Sequence, residues 1–386
     1  MLRIWICLIT IFVTTQALGF ETKAKWVVLS DANTGSVLYS KNPTKKMPPS
    51  SMTKLMAIYI VFENLKDGTT KLDEKLLVSE KAWKEPGSRM FVTPNSMVTV
   101  EDLLRGAIVQ SGNDATVVLA EGLSGSEQAF VERMNIKAKT LGMNNTNFKN
   151  VTGLNHKDHY MTSEDLLILS NRIMKDFPEY YNYFAEQEFT YNKIKQQNRN
   201  VLLFRDIGVD GLKTGHTDAG GYGIAVSAAK NGRRLIAIVN GCKNESERAA
   251  EVQKILQYGF MNFANVDVAK KGQPIATVEV ISGVDPKVNL VANEDIVVTV
   301  PVDRKSKVKA KLNYPSHVES PVLTNSAVGV LEVDLGNGKK QEFSTYPAKE
   351  VQKSGWFGSL WSKIKRSVSS MSLQKPEAKM QDKDIM

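Results

Sequence analysis

Three short polar motifs in a fixed order constrain the fold of this chain more than any other feature. The motifs are Ser51-Met52-Thr53-Lys54, Ser111-Gly112-Asn113 and Lys213-Thr214-Gly215. Together they supply a nucleophilic serine, two lysines and a bridging hydroxyl, which are the groups needed for acyl transfer without a histidine base. The set of three carries this interpretation, because no single motif is specific enough.

The Ser-x-x-Lys pattern shows why one motif is weak evidence. It occurs again at Ser227–Lys230, Ser306–Lys309, Ser362–Lys365 and Ser372–Lys375. Only Ser51–Lys54 follows a Pro-Pro pair at the start of a predicted helix, residues 55–65, where proline is tolerated. Only this pair also has both partner motifs downstream, so Ser51 is the predicted nucleophile.

Residues 1–19 have the pattern of a secretory signal peptide. Arg3 gives a positive start, residues 4–13 are an apolar run, and Ala17-Leu18-Gly19 offers small residues for cleavage. The alternative is a membrane anchor or a buried helix, but the apolar run is short for a bilayer span. We therefore expect an exported protein that keeps Cys242 as its single cysteine and forms no internal disulfide.

The opposite end of the chain combines basic and aromatic side chains in a helical repeat. Trp356, Trp361 and other apolar residues recur mostly at three- and four-residue steps, with Lys363 and Lys365 beside them. This pattern is typical of amphipathic helices at a membrane interface. Residues 349–386 are therefore predicted to form a membrane-anchoring helix and tail; the alternative is a helix packed on the protein itself. The formal net charge of +9 is otherwise spread widely, so nucleic acid is not an expected partner.

Between these ends, the apolar pattern changes near Ala264. Residues 20–263 have strands at both ends of the segment and helices between them, which predicts an α+β domain. We expect one antiparallel sheet covered by helices, with a helical lobe. Residues 264–348 contain short alternating stretches separated by turn-forming residues, which predicts a small all-β sandwich. This second domain offers no catalytic grouping, so a spacer or docking role is expected.

The first motif provides a nucleophile and a base. Ser51 and Lys54 lie three residues apart at a helix start, so their side chains face the same side. Lys54 can accept a proton only when it is neutral, and burial or a nearby positive charge would lower its pKa. We expect Lys213 to provide that charge as an electrostatic group. The free N–H groups at the helix start are suited to binding an oxyanion.

The second motif interrupts an apolar helical pattern over residues 100–123. Ser-Gly-Asn is poorly suited to a helix interior, so one interpretation is a plain loop between two helices. In the catalytic interpretation, Ser111 relays a proton between Lys54 and the leaving amine. Asn113 then holds the amide of the substrate by hydrogen bonding.

The third motif ends a predicted strand, residues 209–213. Gly215 would let a substrate approach the backbone and add to the sheet edge. Thr214 and Arg248 are candidates for binding a terminal carboxylate, because a guanidinium pairs with it at two points; alternatively, Arg248 is a solvated charge. His216 is expected to contribute its backbone N–H as the second oxyanion donor, because its ring has no evident acidic partner.

Longer stretches around the motifs resemble one enzyme family. They are Pro48-Pro-Ser-Ser-Met-Thr-Lys54, Gln110-Ser-Gly-Asn-Asp-Ala115, Glu188-Phe-Thr-Tyr-Asn192, Asn198-Arg-Asn200 and Asp210-Gly-Leu-Lys-Thr-Gly-His-Thr-Asp218. The chain is similar, over almost its whole length, to the low-molecular-mass (class C) penicillin-binding proteins, the serine-type D-alanyl-D-alanine carboxypeptidases. Two positions depart from the family pattern. Asn95 stands where a turn glycine is frequent, and Ser50 where alanine is usual; asparagine tolerates left-handed backbone.

The resemblance implies a penicillin-binding, serine β-lactamase-like catalytic domain and a specific reaction. Ser51 would be acylated by the penultimate D-alanine of a peptidoglycan pentapeptide, the terminal D-alanine would leave, and water would hydrolyse the acyl-enzyme. β-Lactam antibiotics would act as covalent inhibitors, and no cofactor or metal would be needed. Together with the two chain ends, this implies cell-wall remodelling and a role in cell shape at the periplasmic face of the bacterial inner membrane.

Two alternatives remain open. A class A-like β-lactamase shares the three motifs but needs a deacylating glutamate. The best candidate, Glu164, instead fits the first turn of a predicted helix, residues 164–174, opened by a capping box at Thr162. A catalytically silent wall-binding protein would keep the fold alone, but the intact motifs argue against it. Fast turnover of penicillin would favour the β-lactamase.

Overall fold

The computed structural model describes residues 20–355. The chain divides into two compact units between Phe260 and Met261. The predicted signal peptide, residues 1–19, and the predicted tail helix from Trp356 onward lie outside the described residues. Between residues 20 and 355, no helix combines the length and the apolar character needed to cross a bilayer.

The first unit is organised around an antiparallel sheet. Its strands are β1 (Trp26–Asp31), β2 (Val37–Lys41), β3 (Lys75–Leu77), β4 (Met97–Thr99), β5 (Glu188–Tyr191), β6 (Ile194–Gln197), β7 (Val209–Thr217), β8 (Gly221–Lys230) and β9 (Arg233–Cys242). Five of them form the main sheet in the order β2-β1-β9-β8-β7, while β3 pairs with β4 and β5 with β6. The predicted sheet, joined by the N-terminal hairpin, is confirmed, and β7 lies at its edge.

The N-terminal hairpin joins the sheet because β1 begins with four apolar residues, 26–29, and is buried at every position after the first. Val28 is fully buried and pairs with Ile238 of β9. Between β8 and β9, Asn231 and Gly232 have φ angles of 52° and 75°. Left-handed backbone at both positions produces the two-residue hairpin turn that Asn-Gly predicts.

In the described part of the chain, seven α-helices accompany these strands. They are α1 (Lys54–Lys66), α2 (Glu80–Lys84), α3 (Val100–Arg105), α4 (Asn113–Ser124), α5 (Glu127–Thr140), α6 (Ser163–Asp176) and α7 (Glu245–Asn262), and a 3-10 helix, Ser50–Thr53, leads into α1. Helix α1 is buried on nearly every face, which is typical of a helix inside the core. The Thr162 hydroxyl caps α6 by accepting the N–H of Asp165 at 3.1 Å, as predicted.

The second motif breaks the chain between α3 and α4. Helix α3 passes into a π-helical turn, Gly106–Gln110, and Ser111 then adopts left-handed backbone with a φ of 64°. Helix α4 begins only at Asn113. Turns of π-helix inside helices are frequent at functional sites. The predicted interruption of the helical pattern is therefore confirmed, and it places Ser111 and Asn113 on either side of a helix start.

The second unit is all β, as predicted. Its strands are β10 (Phe263–Ala269), β11 (Ala276–Ile281), β12 (Lys287–Val291), β13 (Ile296–Pro301), β14 (Lys309–Asn313), β15 (His317–Glu319), β16 (Gly329–Asp334) and β17 (Lys340–Pro347). Six strands form a sheet in the order β14-β16-β17-β12-β11-β15, and β10 pairs with β13. Val298 of β13 and Val333 of β16 share one buried cluster, so an apolar core lies between the two sheets.

The first residues of the predicted tail continue the second unit. Val351 forms a backbone bridge with Val322, and Lys353 forms one with Gly283. Val351 is fully buried in an apolar cluster of this unit. Residues 349–355 are therefore extended chain that packs on the β domain rather than helix.

Candidate active site

The predicted nucleophile lies in a tight turn before the central helix. Ser51 is half-buried in the 3-10 helix, and Lys54 is the first residue of α1. The Oγ of Ser51 is 3.0 Å from the Nζ of Lys54. The neighbouring hydroxyl, that of Ser50, instead bonds to the hydroxyl of Thr217 at 3.0 Å. The geometry thus favours Ser51 over Ser50 as the reactive serine.

The amine of Lys54 has three neighbours, and their chemistry favours a base. Its Nζ donates to Oδ1 of Asn113 at 2.6 Å and to the carbonyl of Thr152 at 2.8 Å. A neutral amine has two N–H groups and one lone pair. Because two acceptors use the N–H groups, the lone pair is left for the hydroxyl proton of Ser51. The site is therefore arranged to remove that proton.

Burial moves Lys54 toward this neutral form. The side chain is fully buried, and the loss of water lowers the pKa of Lys54 to about 7. The positive charge of Arg199 lowers this pKa further, whereas the carboxylates of Glu85 and Asp114 oppose the shift. Repulsion between the two amines acts on both of them, and the expected electrostatic role of Lys213 stays a prediction.

Lys213 is itself fully buried, which changes its expected behaviour. Burial, followed by the charges of Lys54, Arg199 and Arg248, lowers the pKa of Lys213 well below its ordinary value. Two buried amines that repel each other cannot both stay charged. An arriving carboxylate would reverse this by pairing with the ammonium. The Nζ of Lys213 donates to the carbonyl of Thr214 at 3.3 Å.

The second motif contributes one residue in direct contact with Lys54, the predicted base. Asn113 is buried; its Oδ1 accepts from Lys54, and its Nδ2 donates to the carbonyl of Pro86 at 2.6 Å. Both ends of this amide thus bind the protein, so a substrate amide would have to share or displace one of them. Ser111 is also buried beside it, in left-handed backbone. Its role as a proton relay stays a prediction.

The third motif lies on the edge strand β7, next to the nucleophile turn. A Cβ atom on Gly215 would lie 3.0 Å from the carbonyl oxygen of Pro49 and 3.1 Å from Cβ of Ser50. The protein's own turn thus packs closely on one face of β7 at this glycine, and the approach of a substrate to the Gly215 backbone stays a prediction. Thr214, on the same strand, is buried. Its role in substrate binding stays a prediction.

Arg248 and His216 occupy different surroundings. Arg248, on α7, is only 4% exposed; it donates to the carboxylate of Glu245 at 2.6 Å and to the carbonyl of Arg199 at 3.5 Å. The alternative of a solvated surface charge is therefore wrong. The exposed ring of His216 lies against the ring of Tyr222, with 4.0 Å between their centroids.

Several residues around the site gave no clear signal in the sequence. Thr152 contributes a backbone carbonyl, which no side-chain pattern reveals. The buried Asp114 accepts the N–H groups of Met90 and Phe91 at 3.0 Å each, and so holds a loop against the start of α4. Arg199 stands within the stretch Asn198-Arg-Asn200, which resembled the family but indicated no contact with the base.

His159 fixes the opposite side of the nucleophile helix. Its Nδ1 accepts the N–H of Lys149 at 3.2 Å. The proton of the neutral ring must therefore lie on Nε2, which is 2.9 Å from the hydroxyl of Thr53 and donates to it. Burial lowers the pKa of His159 to about 4, because a charged imidazolium would lose water and one of these two bonds.

The depressed pKa of His159 predicts a loss of stability in acid. The unfolded chain takes up a proton near the ordinary imidazole pKa, whereas the folded chain does so only near a pKa of about 4. As the pH falls through that window, this group should cost about 3 kcal/mol of unfolding free energy. Denaturant titrations at neutral pH and at about pH 4 should show a smaller loss for His159→Gln than for the wild type. An equal loss in both proteins would contradict this assignment.

The carboxylate considered for a β-lactamase, Glu164, lies in the first turn of α6. Its backbone N–H donates to the carbonyl of Pro43 at 3.1 Å. Burial raises the pKa of its carboxyl group, with a further contribution from Asp165. Its surroundings are those of a helix start, and none of its interactions recorded in residues 20–355 involves Ser51 or Lys54.

Comparisons with known proteins agree with this geometry. Residues 12–244 match the family described as D-alanyl-D-alanine carboxypeptidase, and residues 263–353 match the C-terminal domain of penicillin-binding protein 5. The chain is 38% identical over 347 residues to D-alanyl-D-alanine carboxypeptidase DacA of Haemophilus influenzae, with 88% of each chain covered. It is 35% identical over 356 residues to D-alanyl-D-alanine carboxypeptidase DacC of Escherichia coli, covering 90% of this chain and 88% of that one.

The fold of this chain is also similar to that of a solved structure. The crystal structure of penicillin-binding protein 5 from Haemophilus influenzae is similar to this one with a TM-score of 0.82 and 37% sequence identity. The similarity covers 87% of this chain and 100% of that chain. The family match, the relatives and the arrangement around Ser51 agree, and the chain belongs to the D-alanyl-D-alanine carboxypeptidase family.

Proposed function

We propose that this protein is a penicillin-binding, serine-type D-alanyl-D-alanine carboxypeptidase that trims peptidoglycan pentapeptides. The observation that carries the proposal is the set of three contacts at Lys54. Two protein acceptors bind its N–H groups, and the third direction points at the hydroxyl of Ser51, 3.0 Å away. Relatives named D-alanyl-D-alanine carboxypeptidase, which cover most of the chain, support the same activity.

The proposed reaction begins with proton transfer from Ser51 to Lys54. The serine oxygen attacks the carbonyl of the penultimate D-alanine, and the backbone N–H groups of Ser51 and His216 bind the oxyanion. The proton on Lys54 passes through Ser111 to the amine of the terminal D-alanine, which leaves. Water then attacks the ester, Lys54 takes its proton, and Ser51 regains its hydroxyl.

Substrate binding is assigned to the edge of β7 and to neighbouring side chains. An extended peptide would add to the strand near Gly215. Its terminal carboxylate would bind Thr214 and Arg248, and would favour the charged form of Lys213. The burial of Arg248 and Lys213 supports these roles, because the electrostatic attraction between a cation and a bound carboxylate is stronger in a buried site than in an exposed one. Asn113 would bind the substrate amide. A β-lactam would acylate Ser51 in the same way and leave slowly.

Fluorescent-penicillin labelling together with D-alanine release from a pentapeptide tests the proposal. The wild type should be labelled and should release D-alanine, whereas Ser51→Ala should do neither. Ser306→Ala is a matched control, because Ser306–Lys309 repeats the Ser-x-x-Lys spacing in the second unit. Labelling that survives Ser51→Ala would contradict the mechanism. Fast penicillin turnover would favour the β-lactamase alternative.

The proposed setting of the reaction is the outer face of the cytoplasmic membrane, in contact with the cell wall. The signal-like residues 1–19 support export, and the relatives named D-alanyl-D-alanine carboxypeptidase support action on peptides that end in D-alanyl-D-alanine. The basic and aromatic pattern after residue 355 supports attachment to an anionic membrane surface. Removing residues 356–386 should move the exported protein from the membrane pellet to the soluble fraction. Unchanged sedimentation would contradict the attachment.

A further inference from the structure

A cavity of about 300 Å³ lies beside the catalytic groups and takes no part in the reaction described above. One wall is the segment Lys46–Ser50, which leads directly to Ser51. The other wall is formed by residues between Gly153 and Tyr160, directly after Thr152, whose carbonyl binds Lys54. Each wall is therefore one residue away from a catalytic contact.

The chemistry of this cavity is positive and apolar at once. Lys46 holds its ammonium 3.8 Å from the centroid of the Tyr160 ring, and Lys157 lies across the cavity on the other wall. Among residues 20–355, no carboxylate forms an ion pair with either lysine. The side chains between them are largely apolar: Met47, Pro48, Pro49 and Leu154.

The single acid of the second wall does not cancel this charge. Asp158 is exposed and is not among the residues that line the cavity. The backbone N–H of Asp158 donates to Nδ1 of His156 at 3.1 Å. The ring N–H of His156 is therefore on Nε2, on the side away from Asp158. An anionic group carried on a short aliphatic chain fits these surroundings best.

The cavity lies beside the path that a bound peptide is expected to take. On the proposed function, the terminal carboxylate lies near Thr214 and the scissile carbonyl near the N–H of His216. The preceding residues must then continue toward Thr217. The hydroxyl of Thr217 bonds to that of Ser50 at 3.0 Å, and Ser50 lines the cavity. The peptide therefore leaves the edge of β7 beside this cavity.

We propose that the cavity between Lys46 and Lys157 is a specificity subsite for a side-chain carboxylate of the substrate peptide, borne N-terminal to the D-alanine pair. This subsite rests on the proposed carboxypeptidase function and deepens it. It would let the enzyme prefer anionic wall peptides over neutral peptides that also end in D-Ala-D-Ala. Because both lysines are exposed, the preference should be moderate and should weaken in high salt.

Matched peptides test the subsite. Acetyl-Ala-Glu-D-Ala-D-Ala and acetyl-Ala-Gln-D-Ala-D-Ala differ only in one carboxylate, and a second pair carries the same change one residue earlier. In one of the two pairs, the wild type should have a KM about fivefold lower for the carboxylate peptide, with a similar kcat. Lys46→Met and Lys157→Met should each reduce this preference, and the double variant should abolish it.

Lys45→Met is the matched control, because it removes the same charge from an exposed neighbour that does not line the cavity. It should leave the preference intact. Equal KM values for both peptides of each pair, or a preference that persists in the double variant, would overturn the subsite while leaving the carboxypeptidase activity standing. Failure to release D-alanine from any of the peptides would overturn both.

Discussion

Lys54→Met should lower the rate at which penicillin acylates Ser51 by about a thousandfold, which is the usual scale for losing a general base. The methionine fills much of the buried space but has no proton acceptor for the serine hydroxyl. It leaves Oδ1 of Asn113 and the carbonyl of Thr152 without their donor. The measurement is the second-order rate of acylation, followed with a fluorescent penicillin.

Two comparisons separate loss of the base from loss of the fold. Thermal unfolding of Lys54→Met should remain cooperative, and Lys71→Met, a surface change, should acylate at the wild-type rate. Lys54→Arg should also be slow, because a guanidinium stays charged and cannot accept the proton. Rapid acylation by the arginine variant would show that Lys54 acts only through its charge, contrary to the mechanism.

The same base should set the pH dependence of acylation. Only neutral Lys54 can accept a proton, and the pKa of Lys54 is about 7. In the wild type, kcat/KM should therefore rise with pH through about 7 and level off above it. Replacing Glu85 by glutamine should move the midpoint of this rise to lower pH, because the Glu85 carboxylate favours the charged form of Lys54 and so raises its pKa. A flat profile across neutral pH would contradict the assignment of Lys54 as the base.

Gly153→Ala should damage both stability and acylation. Gly153 has a φ of 85°, and a Cβ added there would lie 1.8 Å from the carbonyl oxygen of Ser50. Such a contact forces the backbone next to Ser51 to move. We expect a loss of about 3 kcal/mol in unfolding free energy and at least a tenfold slower acylation. Denaturant titration and the acylation rate measure the two effects.

Gly142→Ala separates the collision from the cost of left-handed backbone. Gly142 has a similar φ of 84°, but a Cβ there would meet no atom within 4 Å. This variant should lose only about 1 kcal/mol and should acylate at the wild-type rate. Equal damage from the two substitutions would mean that backbone conformation, rather than contact with Ser50, explains the effect of Gly153→Ala.

Local patterns allowed much of this site to be predicted. Ser51 and Lys54 meet because residues three apart at a helix start share one face, which needs no knowledge of the rest of the chain. The strand that carries Lys213 and the break at Ser111 also follow from short stretches. The β domain follows from apolar alternation, and the main sheet follows from short apolar runs bounded by turn-forming residues.

Contacts made through space were harder to predict. The carbonyl of Thr152 has no side-chain signal, and the influence of Arg199 on Lys54 depends on the folding of distant segments. The burial of Lys54 and Lys213 together also depends on the tertiary fold, and no local pattern shows it. The packing of the turn at Pro49 and Ser50 against Gly215 likewise joins segments that are far apart in sequence.

The edge position of β7 has a consequence for the purified protein at high concentration. Within residues 20–355, β7 pairs with one strand of the main sheet, β8, and its other side is an edge. An unpaired strand edge can pair with another chain, which leads to aggregation. The turn at Pro49 and Ser50 packs on the face of β7 at Gly215 and so leaves the backbone groups of that edge open. The edge to which a substrate peptide is proposed to add is therefore also the edge at which two copies of the protein could associate.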